Sequence, residues 1–117
     1  MRPLAIHHVS VNVVDVEAAT RFYVEVLGAV PRADRPALGF GGAWLDVGGQ
    51  QLHLLEGATP ASLGQHFAIL VADLDAAVVE LRAKGVEVGD PVAIGAARQT
   101  FVQDPSGNVI ELHARPG

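Results

Sequence analysis

Four residues of ligand type stand at one shared spacing: His8 and His66 are 58 residues apart, and so are His53 and Glu111. Imidazole nitrogen and carboxylate oxygen are the donors that hold divalent transition metals. Imidazole suits Zn, Ni, Fe and Co, and a carboxylate widens the choice to Mn. Three imidazoles and one carboxylate around one ion in an octahedral field leave two positions for water or substrate. Taken singly, each residue has an ordinary reading. A strand histidine is more often a hydrogen-bonded core or rim residue, and Glu111 has Arg98 and Arg115 as possible ion-pair partners. The common offset tips the balance towards a metal site built from His8, His53, His66 and Glu111.

That offset belongs to an internal repeat, which sets the architecture. "HVSVNVVDVEAA", residues 8–19, overlays "HFAILVADLDAA", residues 66–77, with five of twelve positions identical. "WLDVGGQQLHL", 44–54, overlays "VQDPSGNVIEL", 102–112, at the same offset. We read one domain, 1–117, made of two units, 4–56 and 65–114, joined by "GATPASLG". Residues 4–13 and 65–72 alternate like strands. Asp15 and Asp73 suit helix N-caps, since a carboxylate accepts the free N–H groups of a first turn. Val16, Ala19, Phe22 and Val26 recur at helical spacing, as do Leu74, Val78 and Leu81. Gly28 and Gly85 suit the left-handed position that ends a helix. A weak strand follows each helix, interrupted by Pro31 in the first unit and by Pro91 near the end of its counterpart. A hairpin then turns through Gly48-Gly49 or through "DPSG". The order is β-α-β-β-β, used twice: an α+β fold.

Alternation puts His8 on one strand face with Ser10 and Asn12, and Glu111 with Val109 and His113. His7 is expected on the opposite face from His8. His113 is either a support for Glu111 or simply exposed. "GFGG", 39–42, reads as a flexible turn beside a pocket, and Trp44 as either a pocket wall or ordinary hairpin packing. Arg32 and Arg35 could meet an anionic substrate, although arginines in a loop are usually just solvated.

Composition narrows the field. The net charge is −5 without a Lys/Arg cluster, which gives nucleic-acid binding no electrostatic footing. There is no cysteine, hence no disulfide, thiolate nucleophile or sulfur-ligated metal. None of the three serines lies in a G-x-S-x-G elbow, and neither a dinucleotide fingerprint nor a P-loop is present. No apolar run approaches the ~18 residues of a membrane span, and no signal peptide is evident, so a cytoplasmic protein is expected.

At this point the residues resemble a known family. "HVSVNVVDVEAATRFYVEVLG", with its histidine start, Asp-capped helix and Phe22-Tyr23 to Gly28 run, is similar to the opening of the vicinal oxygen chelate superfamily. "DPSGNVIEL" is similar to that family's closing hairpin, whose glutamate is a metal ligand. The resemblance spans nearly the whole chain. It implies paired β-α-β-β-β modules whose sheets curl around a shared cavity holding a metal, with ligand roles on His8, His66 and Glu111. His53 falls at the fourth position, where many relatives have Glu or Gln. It also implies a homodimer, in some relatives with the site assembled between chains. The expected function is a small metal-dependent, glyoxalase-like lyase or isomerase. It would act on a compact oxygen-bearing small molecule chelated by the metal, with Glu111 as the base. Two other readings stay open: a metal-free drug-binding protein of the bleomycin-resistance type, and an Fe(II) dioxygenase.

Overall fold

The computed structural model describes residues 1–117 and divides into two compact units, Met1–Pro60 and Ala61–Gly117. In the first unit, β1 (His8–Val13) leads into α1 (Val16–Arg21), then β2 (Val30–Pro31), β3 (Gly42–Val47) and β4 (Gln50–Glu56). The sheet order is β1-β4-β3-β2. β1 runs parallel to β4, and the other pairings are antiparallel. The second unit repeats this with β5 (Phe67–Leu70), α2 (Leu74–Ala83), β6 (Val92–Ile94), β7 (Ala97–Gln103) and β8 (Val109–Ala114). Its order is β5-β8-β7-β6, again with the first and last strands parallel. The α+β class and the repeated β-α-β-β-β order follow from the sequence pattern. No helix is long and apolar enough to cross a membrane.

Each sheet has one buried face and one open face, because side chains alternate along a strand. In the first unit Val13, Leu45, Leu52 and Leu54 point to the helix side, with Ala19 and Tyr23 of the helical segment buried against them. In the second, Val102, Ile110 and Leu112 meet Leu74, Val78 and Leu81 of α2. The opposite parity is what remains for chemistry. His8, Ser10, Gln51, His53 and Trp44 share it in the first sheet, and Gln99, Phe101, Glu111 and His113 in the second.

Both aspartate caps form. Asp15 Oδ1 accepts from the Ala18 N–H at 3.0 Å, and Asp73 Oδ1 from the Ala76 N–H at 3.0 Å. Gly28 and Gly85 end the two helical segments at φ +78° and +80°, where a Cβ would be strained. Asp73→Ala is expected to cost about 1 kcal/mol. Urea unfolding should show a lower midpoint with an unchanged slope.

Three local expectations are corrected. The opening strands are shorter than 4–13 and 65–72, starting at His8 and Phe67. The partner strand sets that limit: β4 begins at Gln50, so residues before His7 have nothing to pair with. The first helix does not continue as one α-helix to Val26. Phe22–Val26 forms a π-helical turn, in which the Leu27 N–H reaches the Phe22 carbonyl at 3.2 Å. Tyr23, rather than Phe22, is then the fully buried aromatic ring. Finally, β6 follows Pro91 instead of preceding it. Arg82 explains this, since its Nη2 donates to the Val88 carbonyl and to Asp90, each at 2.9 Å, and so ties 88–90 to α2.

Candidate metal centre

Each unit brings its own two predicted ligands into contact. In the second unit, His66 stands one residue before β5 and Glu111 in the middle of β8, on the open face. His66 Nε2 and Glu111 Oε1 are 3.1 Å apart. The other atom of each group is separately anchored. His66 Nδ1 lies 2.8 Å from the Gly64 carbonyl. A carbonyl only accepts, so Nδ1 carries a proton and Nε2 is the ligand-capable nitrogen. Glu111 Oε2 is 2.8 Å from His113 Nδ1. With its amide nitrogen turned inward, Gln99 donates to the same carboxylate at 3.2 and 3.3 Å. The His66 pKa is raised above the usual histidine value, first by the Gly64 carbonyl and then by Glu111. The arrangement favours positive charge between ring and carboxylate, whether a proton or a metal ion.

Distance tests the fit to a metal. Two donors bound at about 2.1 Å to one ion, at right angles to each other, are roughly 3.0 Å apart. The 3.1 Å between Nε2 and Oε1 is that of a hydrogen-bonded ion pair, and it brings the two donors as close as one ion would need them. The anchoring of the distal atoms is the outer-shell pattern that fixes ring orientation and carboxylate mode in metal sites. The donor chemistry of this pair fits a divalent cation.

The first unit is different. Ser10 lies opposite His53, and Trp44 lies opposite His53 on the other side, so three neighbouring strands bring their rings together. His53 is stacked between His8 (centroids 4.0 Å, planes 13° apart) and Trp44 (4.4 Å, 10°). A metal must lie in the plane of each ligating imidazole, along a nitrogen lone pair. Planes this close to parallel do not meet within bonding distance. His8 and His53 can therefore share an ion only if one ring turns. His53 is buried and held, with Nε2 3.0 Å from Gln51 Oε1. An amide oxygen accepts, so Nε2 carries the proton and Nδ1 the lone pair. Burial, and then the neighbouring His8, lower the His53 pKa and keep the ring neutral, as a ligand must be. His8 is exposed, and it is the ring with room to rotate. Neither unit by itself gathers three or more side chains in a metal-holding cluster.

Other residues move from their expected roles. His7 is not turned away from His8: the two Nδ1 atoms are 2.9 Å apart and the rings meet edge to face. His7 precedes β1, so strand alternation does not govern it. Arg98 binds Asp75 at 2.9 and 3.0 Å and leaves Glu111 alone. His113 supports Glu111 directly. Phe101 and Gln99 join the site although their sequence context does not mark them. Phe101 lies opposite Glu111 and meets the His66 ring edge-on at 5.4 Å. With Ser62, Gly64, Gln65, His66 and Val109 it lines a pocket of about 290 Å³. Counting back from the "DPSG" turn would have found it, as it holds the place that Trp44 holds opposite His53.

Comparison with known proteins bears on this geometry. The profile of the Glyoxalase/Bleomycin resistance protein/Dioxygenase superfamily matches residues 5–112. Glyoxylase I 4 of Arabidopsis thaliana is 34% identical, over 92% of this chain and 69% of that protein. Biphenyl-2,3-diol 1,2-dioxygenase 3 of Rhodococcus globerulus is 33% identical over 81% of this chain, which spans only 55% of that enzyme's length. The solved structure of TnmS3, an antibiotic binding protein from Streptomyces sp. CB03234, superposes with a TM-score of 0.85 at 31% identity. That match covers 100% of this chain and 99% of the other.

Proposed function

The chain belongs to the glyoxalase/bleomycin resistance protein/dioxygenase superfamily, and from that premise we propose that it is a metal-dependent lyase or isomerase of glyoxalase type. Its substrate is a compact molecule that offers vicinal oxygens to the metal. The observation that carries this reading is the His66–Glu111 pair, with one donor atom of each group converging at 3.1 Å and the other tied to the protein. The ligands proposed for the ion are His8, His53, His66 and Glu111. The ion is divalent, from the set Zn, Ni, Fe, Co and Mn, and the working form is a homodimer.

A bound divalent ion supplies Lewis acidity, lowering the energy of negative charge that develops on a substrate oxygen. The chain's own residues do the rest. Glu111 would take the proton from the carbon that bears the substrate hydroxyl and return it to the neighbouring carbonyl carbon, while the hydroxyl proton passes to the former carbonyl oxygen, so that hydroxyl and carbonyl exchange places. His113 and Gln99 hold the carboxylate, so that the atom receiving the proton keeps its position. Phe101 and Val109 exclude water from one side of the reacting carbons.

Elemental analysis of protein purified without added metal tests this. About one ion per chain is expected. In His66→Ala, nickel affinity read by calorimetry should fall at least 100-fold, beyond the 10–100-fold typical of outer-shell losses. Substoichiometric metal and no loss in that variant would count against the reading.

A second reading draws on the first unit. Trp44, His53 and His8 form a stacked column in which both faces of His53 are covered, and a planar ring would add to it on the outer face of His8 or Trp44. With an antibiotic binding protein among the relatives, drug sequestration is the alternative. Saturable binding of a planar antibiotic that EDTA does not weaken would favour it.

A further inference from the structure

The segment 32–42, "RADRPALGFGG", carries two arginines with opposite fates. Arg32 is neutralised: it binds Asp34 through two bonds of 2.8 and 3.0 Å, and Asp46 at 2.8 Å. Arg35 has no carboxylate at ion-pair distance. Its Nη2 donates to the Phe40 carbonyl at 2.8 Å, and its guanidinium carbon lies 5.4 Å from the Phe40 ring centre. Its Nε is buried without an acceptor. This guanidinium is held in place while its charge is left unmatched. A free side chain would simply extend into water and hydrate every N–H group, so a fixed cation with an orphaned donor calls for a reason.

Its position supplies one. A Cβ added at Gly42 would come within 2.9 Å of Arg35 Nη2, and would also strike the Leu54 carbonyl. The arginine head therefore lies over β3 at Gly42, in the space that a side chain would fill. Gly42 has the same parity as Trp44, which pairs with His53. Arg35 thus covers the open face that carries the first unit's two histidines. It sits one same-face step along the strand from Trp44, roughly 7 Å. The nearby Glu56 carboxylate lies against Gly41, where a Cβ would touch it, and makes no ion pair with Arg35.

We infer that Arg35 is an anion anchor. The substrate then carries a carboxylate or phosphoryl group besides its chelating oxygens. This inference rests on the metal-dependent reading above and narrows its substrate class. A planar guanidinium already held by the Phe40 carbonyl and set over the Phe40 ring loses little freedom when it grips an anion through two parallel bonds, which is the geometry at which arginine outperforms lysine.

Two probes separate the anchor from the metal. Lactate offers chelating oxygens alone, whereas 2-hydroxyglutarate adds a distal carboxylate. Binding of each to the nickel-loaded full chain is measured by calorimetry, alongside nickel affinity itself. For the wild type, 2-hydroxyglutarate should bind at least tenfold more tightly than lactate. That gap should vanish in Arg35→Gln and return in part in Arg35→Lys, with lactate unchanged throughout. In metal-free protein, inorganic phosphate should still shift the Arg35 Nε–H resonance in nitrogen-15 spectra. Equal binding of the two probes by the wild type, or a gap that survives Arg35→Gln, would overturn the anchor while nickel binding stands. A phosphate-sensitive Arg35 in a chain that binds no nickel would keep the anchor and remove the metal-dependent reading.

Discussion

Glu111→Gln is expected to lower turnover by roughly 10²–10⁴-fold, the usual contribution of a positioned general base. The amide keeps the shape of the side chain but can neither take a proton nor offer two anionic oxygens. It would also leave His66 Nε2, 3.1 Å away, without its counter-charge. Metal affinity should fall as well, by more than the 10–100-fold of an outer-shell loss. Both effects are measurable without knowing the natural substrate. Deuterium exchange at the carbon beside the carbonyl of small hydroxyketones, followed by NMR, reads the base, and nickel calorimetry reads the ligand. A variant that retains its metal and exchanges at the wild-type rate would remove Glu111 from both roles. His113 shares the carboxylate with His66 at 2.8 Å, so its loss should give a smaller defect of the same kind.

The second large effect is on stability. Leu45 is fully buried at the centre of β3, on the helix side of the first sheet. Leu45→Ala should cost about 2–5 kcal/mol, from lost burial plus the cavity left behind. Against the ~5–15 kcal/mol that holds a typical domain folded, this is a large fraction. Urea unfolding followed by far-UV circular dichroism measures it. A change below about 1 kcal/mol would mean that this sheet face is not the packed one and that the assignment of open and buried faces is reversed.

That assignment was legible before any coordinates. Alternation in β1 and β8 put His8 and Glu111 on one parity and the apolar residues on the other, and the repeat paired His8 with His66 and His53 with Glu111. Short-range chemistry also read well. Asp15 and Asp73 cap their helices, and Gly28 and Gly85 end them, because these roles depend on a few adjacent atoms. What escaped depends on distant partners. The length of β1 is set by where β4 begins, some forty residues later. The π-helical turn at Phe22–Val26 has no mark in the spacing, and of the two rings that follow Ala19 at i+3 and i+4 the tertiary packing buries Tyr23.

The site divides in the same way. The residue types were right, but their ring orientations are packing outcomes. His53 lies flat between Trp44 and His8, and no spacing rule states that. Phe101 was missed because a uniform offset of 58 matches Trp44 to Val102. The second hairpin has a longer turn, 104–108 against 48–49. It slips the outgoing strand by one residue, so Phe101 faces Glu111 instead. In the sequence Arg32 and Arg35 carry the same two readings, contact with an anionic substrate or plain solvation, and nothing there distinguishes one from the other. The difference is that Asp34 and Asp46 both bind Arg32 and neither pairs with Arg35.

The parallel pairing of β1 with β4, and of β5 with β8, bears on how the chain is made. In each case the first strand to leave the ribosome has its only sheet neighbour in the last strand of the same unit. Until Glu56 is out, the Val9–Val11–Val13 edge waits unpaired in the nascent polypeptide, and closure then spans nearly the whole module at once. A pause once Gly57 has cleared the exit tunnel would let the first module close, whereas one before Gln50 has emerged would leave a valine-rich strand without its partner.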